Sequence, residues 1–493
     1  MLFNSTQFLI FFATLFIVYY SITPDRHRPK LLLLASCYFY MAYIPKFILI
    51  LFFIIVADFF LAQWIAKSAG RKRKLFLLAS IAVNIGTLFF FKYFNFFTEN
   101  AAALAELLHW NYSVTLVQAA LPLGLSFHVF QSLSYVIEVY RGKQEPEHSI
   151  GIYALYVMFF SQLVAGPIER PGHMLPQFHK SHPFDPLKVR HGFELMVWGF
   201  FKKLVIADKI ALLVDYAHAN VKRTSGTTLI VTAILFSYQL YADFSGYSDI
   251  ALGSALVFGY DLTANFNRPF ASRSIAEFWR RWHISLSSWL RDYLYHPMVF
   301  SGKRVTKPRI YLSLFLTFAL IGLWHGANWT YVVFGVLHGT YLVVSLLTTN
   351  VRKEIVAFFR LDRLPSLHHF LQVLSMFALV SLSFVFFRSL NISEALLILS
   401  KMGDAVLHLW PSVQGLSFAS IAAEFGTPVR SASAIFVAII FLEAIQYWQG
   451  KEETPFLFDQ VNPSIRYCWY YVLILGVLRF GYLGAATFIY FKF

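Results

Sequence analysis

Apolar runs close to the length of a membrane-spanning helix recur from one end of this 493-residue chain to the other. They fall near 7–23, 31–43, 46–66, 75–97, 117–138, 193–216, 228–258, 310–324, 329–348, 368–388, 431–448 and 467–490. A span needs roughly 20 apolar residues, and in lipid only helices and closed barrels satisfy their own backbone. The alternation that marks barrel strands is missing, so the runs predict helices. Charged residues are only 14% of the chain, too little polar surface for a soluble protein of this size. The expectation is an all-α polytopic membrane protein with about 11–12 transmembrane helices plus re-entrant and amphipathic pieces. It is read as one membrane domain over 1–493.

The formal charge of +15 sits in short loops between apolar runs. There lysine and arginine mark the cytoplasmic side, and no basic soluble module points to nucleic acid. Lys67, Arg71, Lys72, Arg73 and Lys74 give the strongest signal, and Arg26, Arg28 and Lys30 agree with it. Glu99 and Glu106, in a 98–116 loop without lysine or arginine, fit the outer side. Counting back places the N-terminus outside. The first run, lacking a basic lead-in and a cleavage site, reads as a retained helix. Segment 151–168 has charged flanks on both sides and a break at Gly166–Pro167, which suggests re-entry from the cytoplasm. Cys37 and Cys468 both lie in apolar runs and make no disulfide framework. No internal repeat is visible, which argues against a common transporter architecture.

The most basic stretch, Arg268 to Arg309, is placed in the cytoplasm. Residues 310–348 then form a helical hairpin entering from that side, with its apex near Gly326–Asn328. From Ile310 to His325 the chain climbs roughly 22 Å at 1.5 Å per residue, so His325 is deep. An ionisable side chain at that depth is a functional-site candidate. Imidazole suits general-base work because its ordinary pKa is near neutrality, and burial favours its proton-accepting form. The plainer alternative is a buried histidine hydrogen-bonded to a neighbour. Trp324 and Trp329 would wall the pocket.

Ile275, Phe278, Trp279, Trp282, Leu286, Trp289, Leu290 and Tyr293 recur at helical spacing and predict one amphipathic helix near 275–293. His283 falls at the edge of its apolar face. Two readings are open. In one the helix lies at the interface with its arginines on lipid phosphates. In the other it is a cytoplasmic lid whose Arg280, Arg281 and Arg291 hold a phosphorylated acyl donor such as coenzyme A. Asp243 and Asp249, inside an apolar run, read as pairing with arginines or as capping a helix broken at Gly246. Asp58 is similar. No nucleophile elbow, P-loop or dinucleotide fingerprint occurs. His173, His179 and His182 share a loop, but their spacing is loose for a metal. The amphipathic stretch near 393–408 belongs to an outer-face region spanning about 389–430.

Taken together, several stretches resemble the membrane-bound O-acyltransferase family, in its bacterial branch of alginate O-acetylation and teichoic-acid D-alanylation proteins. They are Pro-Leu-Gly-Leu-Ser-Phe-His-Val-Phe-Gln at 122–131, Gln-Leu-Val-Ala-Gly-Pro-Ile-Glu-Arg at 162–170 and Asp-Phe-Ser-Gly-Tyr-Ser-Asp at 243–249, with Phe-Trp-Arg-Arg-Trp-His-Ile-Ser-Leu-Ser at 278–287 and Gly-Leu-Trp-His-Gly at 322–326. Ser161 and His128 depart from the pattern. The resemblance implies a ring of transmembrane helices around a central tunnel. It makes His325 the catalytic histidine and gives His283 a supporting role. It also implies a cytoplasmic thioester donor, acetyl-CoA in the acetylating type, with no permanently bound cofactor and no metal.

The expected function is transfer of an acetyl group toward hydroxyls of an exported cell-surface polysaccharide, directly or through a periplasmic partner protein. Trp282, Trp324, Asn328, Asp243, Asp249, Arg280, Arg281 and Arg291 are the expected substrate-binding residues. Two other readings stand beside it: D-alanyl transfer to teichoic acid from a carrier-protein thioester, and a lipid-linked sugar transporter without covalent chemistry.

Overall fold

The computed structural model describes residues 1–110, 116–117, 120–408, 417–449, 462–482 and 488–489. Every regular element among the described residues is helical. Among the described residues, six helices are long and apolar enough to cross a membrane: Pro45–Lys67, Gly70–Leu107, Lys307–His325, Trp329–Leu347, Pro365–Arg388 and Val429–Trp448. A shorter apolar helix runs over Thr6–Ile22. Nineteen residues of helix rise about 28 Å, close to the hydrocarbon thickness. The chain divides into two compact units, Met1–Met196 with Tyr247–Ala264, and Val197–Gly246 with Asn265–Phe493.

The first unit holds α1 (Thr6–Ile17), α2 (Arg28–Met41), α3 (Ile48–Lys67), α4 (Gly70–Leu88), α5 (Phe94–Leu107), α6 (Leu125–Arg141), α7 (Ile150–Met158), α8 (Pro171–Phe178) and most of α9 (Pro186–Phe200). Helices α3, α4 and α6 pack on one another, and α2 packs on α7. Asp58, fully buried on α3, accepts from Ser80 Oγ at 2.6 Å and Asn84 Nδ2 at 2.7 Å, both on α4. A buried carboxylate needs such partners, and here it ties two helices together. Helix α6 ends at Gly142 with φ +73°, the left-handed stop that glycine makes cheaply. Helix α7 has nine residues, about 14 Å, too short to cross the bilayer core. The turn that follows it is buried. Ser161, one of the two departures from the motif pattern, accepts a hydrogen bond from Ser254 Oγ at 3.0 Å. His128, the other, is buried with its ring 6.0 Å from Tyr40.

The second unit contains a π-helical stretch over Phe201–Ala207 and then α10 (Asp208–Ala219). The expected helix over 193–216 is therefore interrupted. Lys203 sits in the π stretch, 2.7 Å from Asp208 and 2.7 Å from Asp243, and all three are buried. Helix α11 (Gly226–Val257) runs unbroken for 32 residues, which corrects the expected break at Gly246. Its glycine serves close packing instead: a Cβ there would lie 2.8 Å from the Gly199 carbonyl oxygen. Next come α12 (Ile275–Arg281), α13 (Ile284–Leu290) and α14 (His296–Phe300).

The hairpin α15 (Lys307–His325) and α16 (Trp329–Leu347) turns at residues 326–328, where the apex was expected. After it come α17 (Thr349–Phe358), α18 (Pro365–Arg388), α19 (Ile392–Leu407), α20 (Phe418–Glu424), α21 (Val429–Trp448) and α22 (Pro463–Phe480). Helix α19 covers the amphipathic stretch near 393–408, with Ala395, Ile398, Met402 and Ala405 buried and Leu396 and Leu407 exposed. Residues 409–416 of the 389–430 region lie outside the described residues.

Candidate active site

The α15–α16 crossing fixes the position of His325. A Cβ at Gly322 would meet the Tyr331 carbonyl oxygen at 2.2 Å, and one at Gly335 would meet that of Phe318 at 2.2 Å. Only glycine permits this approach of the two backbones. Asn328 closes the turn: its Oδ1 accepts from Thr330 N at 3.0 Å, and its Nδ2 donates to Leu390 O at 3.1 Å. These bonds hold Asn328, one of the expected substrate-binding residues, at the hairpin apex. His325 is the last residue of α15 and is 4% exposed. Its ring lies 5.0 Å from Trp324, 5.2 Å from Phe387 and 5.8 Å from Phe334. Trp329, the first residue of α16, is 53% exposed.

His283 corrects the continuous helix expected over 275–293. The chain leaves helical geometry at Trp282, and His283 adopts φ +44°, ψ 56° between α12 and α13. A non-glycine residue in the left-handed region costs about 1–3 kcal/mol and persists only when its surroundings impose it. Asn265 does this. Its carbonyl accepts from Ile284 N at 2.9 Å, and its Oδ1 accepts from Ser285 Oγ at 2.6 Å and Ser285 N at 3.3 Å. Asn267 N donates to Arg281 O at 2.9 Å. The apolar periodicity is real, but these bonds outcompete the helix at one residue.

The kink turns His283 inward until it is fully buried. Its ring is 4.7 Å from Phe244 and 6.0 Å from Trp324. Burial penalises the imidazolium and pushes its pKa down to about 3. The rings of His283 and His325 therefore both approach one indole, at 6.0 and 5.0 Å. This is the constellation that the structure brings together from the expected residues.

Trp282 is 2% exposed and is surrounded by Phe266, Phe270, Phe278 and Phe384 rings within 6.1 Å. The arginines lie apart from the histidines in their contacts. Arg280 is exposed, Arg281 pairs with Glu277 at 2.7 Å, and Arg291 pairs with Asp292 at 2.9 Å. Asp243 pairs with a lysine rather than an arginine, and its Oδ2 also accepts from Ile489 N at 2.8 Å. Asp249, on the same helix, falls in the first unit.

Sequence reasoning passed over a third histidine, His338 of α16, which is completely buried. Trp279 Nε1 donates to its Nδ1 at 3.1 Å, and its Nε2 meets Ser383 Oγ at 2.8 Å. Ser383 Oγ in turn donates to Val380 O at 2.7 Å. The donor order assigns His338 the Nε2–H tautomer and links α12, α16 and α18. Asn265 was also missed, since a lone asparagine in a loop carries no pattern.

His173, His179 and His182 each have a separate oxygen partner: Glu169, Glu147 and the Gln177 carbonyl, all at 2.8 Å. Among the described residues no three His, Cys, Asp or Glu side chains are grouped to hold a metal.

Residues 146–387 match the membrane-bound O-acyltransferase family. The chain is 37% identical over 401 residues to a probable alginate O-acetylase AlgI of Azotobacter vinelandii, covering 80% of this chain and 76% of that protein. It is 32% identical over 510 residues to the probable alginate O-acetylase AlgI of Pseudomonas putida, covering 100% of both. It is 33% identical over 446 residues to the peptidoglycan O-acetyltransferase of Helicobacter pylori, covering 83% of this chain and 82% of that protein.

Proposed function

The chain belongs to the membrane-bound O-acyltransferase family, and from that membership we propose that it transfers acetyl from cytoplasmic acetyl-CoA to hydroxyls of an exported cell-surface polysaccharide. It is a multi-pass membrane acyltransferase. Transfer to the sugar is direct or passes through a partner on the outer side. The relatives named for O-acetylation of alginate and of peptidoglycan support an acetyl group and a polysaccharide. The observation that carries the reading is the approach of both His283 and His325 to the single indole of Trp324.

In this mechanism His325 accepts the proton of the acceptor hydroxyl as its oxygen attacks the thioester carbonyl. A tetrahedral intermediate forms and then collapses. The carbon–sulfur bond breaks, and the thiolate recovers the proton from the imidazolium of His325. The products are an O-acetyl ester and free thiol. His283, held in its strained turn, orients the thioester. The aromatic wall of Trp324, Phe334 and Phe387 keeps water from competing for the acyl group. Arg280, Arg281 and Arg291 bind donor phosphates at the cytoplasmic face. Asp243 and Lys203 brace the helices behind Phe244.

Isotope-labelled acetyl-CoA supplied to inside-out vesicles tests the donor. Label in luminal polysaccharide or partner protein is the expected result. Label that arrives only from a carrier-protein thioester contradicts it and selects D-alanyl-type transfer, and sugar movement without label selects a transporter.

A further inference from the structure

Helix α17 joins the spanning helices α16 and α18, and none of its ten residues is buried. So short a helix is marginal in water, because helices draw most of their stability from an apolar face packed on a neighbour. Val351, Ile355 and Phe358 recur at i, i+4 and i+7 and share one face of α17. All three are exposed, Phe358 by 81%, and Phe359 beside them is exposed as well. Val356, the half-buried residue of this helix, points well round from that face. Only Thr348 separates α17 from the end of α16. Helix α16 rises about 28 Å and so fills the hydrocarbon layer, which leaves α17 at the level of the headgroups.

The charges of the segment are as exposed as its apolar face. Residues 349–364 carry Arg352, Lys353, Arg360 and Arg363 against Glu354 and Asp362. Arg352 donates back to the Ser345 carbonyl of α16. The side chains of Lys353, Arg360 and Arg363 make no hydrogen bond or ion pair among the described residues. Arg360 also holds φ +50°, ψ 33° where α17 ends, a conformation that glycine adopts at lower cost.

These features together select the occupant. The apolar face needs hydrocarbon, the cations need phosphate, and the end of a spanning helix is where a bilayer offers both. We propose that residues 349–364 are an interfacial anchor that binds anionic phospholipid. Val351, Ile355, Phe358 and Phe359 enter the boundary of the acyl chains, while Lys353, Arg360 and Arg363 reach up to the lipid phosphates. On the charge-based topology this is the cytoplasmic leaflet. Because α17 continues α16, whose Gly335 crosses Gly322 of α15, the anchor fixes the height at which the hairpin carries His325. This anchoring is independent of the chemistry at His325.

The full-length chain in phosphatidylcholine vesicles, with and without phosphatidylglycerol, tests the placement. A nitroxide on Phe358→Cys, with Cys37→Ser and Cys468→Ser, should be reached by oxygen and shielded from a water-soluble nickel chelate when phosphatidylglycerol is present. A nitroxide on Thr349→Cys, on the far side of the helix, should show the reverse. Native mass spectrometry of the detergent-solubilised chain with both lipids reads selectivity. Lys353→Gln, Arg360→Gln and Arg363→Gln should each lower the preference for phosphatidylglycerol about fivefold, the worth of one basic residue near an anionic surface. Arg360→Gly should lower it equally while raising the Tm, an outcome that misfolding would not produce. Glycerophosphoglycerol, the headgroup without acyl chains, should not displace the lipid at equal concentration. If it does, the cations form a site for soluble phosphate and the anchor is overturned. Nickel access to Phe358→Cys in phosphatidylglycerol vesicles, or an unchanged lipid preference in the triple glutamine variant, also overturns it. Shielding that appears only on adding an acidic soluble protein would give the face to a protein partner instead.

Discussion

The ring of His283 stands 6.0 Å from the indole of Trp324, edge to face, across a large gap in sequence. The same indole is 5.0 Å from His325. Two features produce this arrangement. A glycine-lined helix crossing sets the height of Trp324 and His325, and a left-handed turn swings His283 toward them.

Asn265 is the residue on which that turn depends. Asn265→Ala removes the acceptor for Ser285 N–H and O–H and leaves buried donors unsatisfied, at a cost of about 1–3 kcal/mol. Thermal unfolding in detergent should register the loss, and turnover should fall with it. At His283 itself, glycine should be tolerated better than alanine in stability by about 1 kcal/mol, because the φ is positive. Both should be inactive. Equal stability of the two variants would contradict the strained turn.

Gly335→Ala tests the crossing. The added methyl would sit 2.2 Å from the Phe318 carbonyl oxygen, a backbone atom that cannot swing away. The helices must separate, so we expect a loss of stability of about 1–3 kcal/mol and impaired transfer. Gly403→Ala, with no atom within 4 Å of the new carbon, is the control and should behave as wild type.

Acid sensitivity follows from His283. Its unfolded imidazole titrates near 6.5, whereas burial holds the folded one at about 3. Between those values the unfolded state binds the extra proton. Stability is therefore fully present above about pH 6.5 and is lost as pH falls toward 3. By pH 5 about 2 kcal/mol of it has been lost. His283→Gln should flatten the decline between pH 6.5 and 4, measured by unfolding at a series of pH values. An unchanged slope would place the ring in a solvated environment.

Lys203 bridges two buried carboxylates, so Lys203→Met leaves both without their countercharge. A loss of about 3–5 kcal/mol, or failure to accumulate, is expected. Lys203→Met combined with Asp208→Asn and Asp243→Asn should recover much of it.

The hairpin and its apex were legible in the sequence because charge at one end and a Gly-Ala-Asn break at the other define both limits. The break inside 275–293 was not. Local apolar periodicity there favours a helix, and the bonds that override it come from Asn265, which no local pattern connects to His283. Asp243 was recognised as a pairing group, but its partner came from a π-helical stretch that apolar runs cannot predict. The arginines of 280–291 suggested a phosphate site from charge alone, which could not show that Arg281 pairs with Glu277 and Arg291 with Asp292. His338 was overlooked because a histidine on an apolar helix is usually a satisfied core group, and its hydrogen bonds are those of such a group.

The central claim is that His325 removes the acceptor's proton. The most direct measurement is transfer from labelled acetyl-CoA by wild type and His325→Ala at matched, folded expression. The account predicts a loss of roughly 10²–10⁴-fold in the variant with donor binding retained. A loss smaller than about tenfold would make His325 structural and contradict the mechanism.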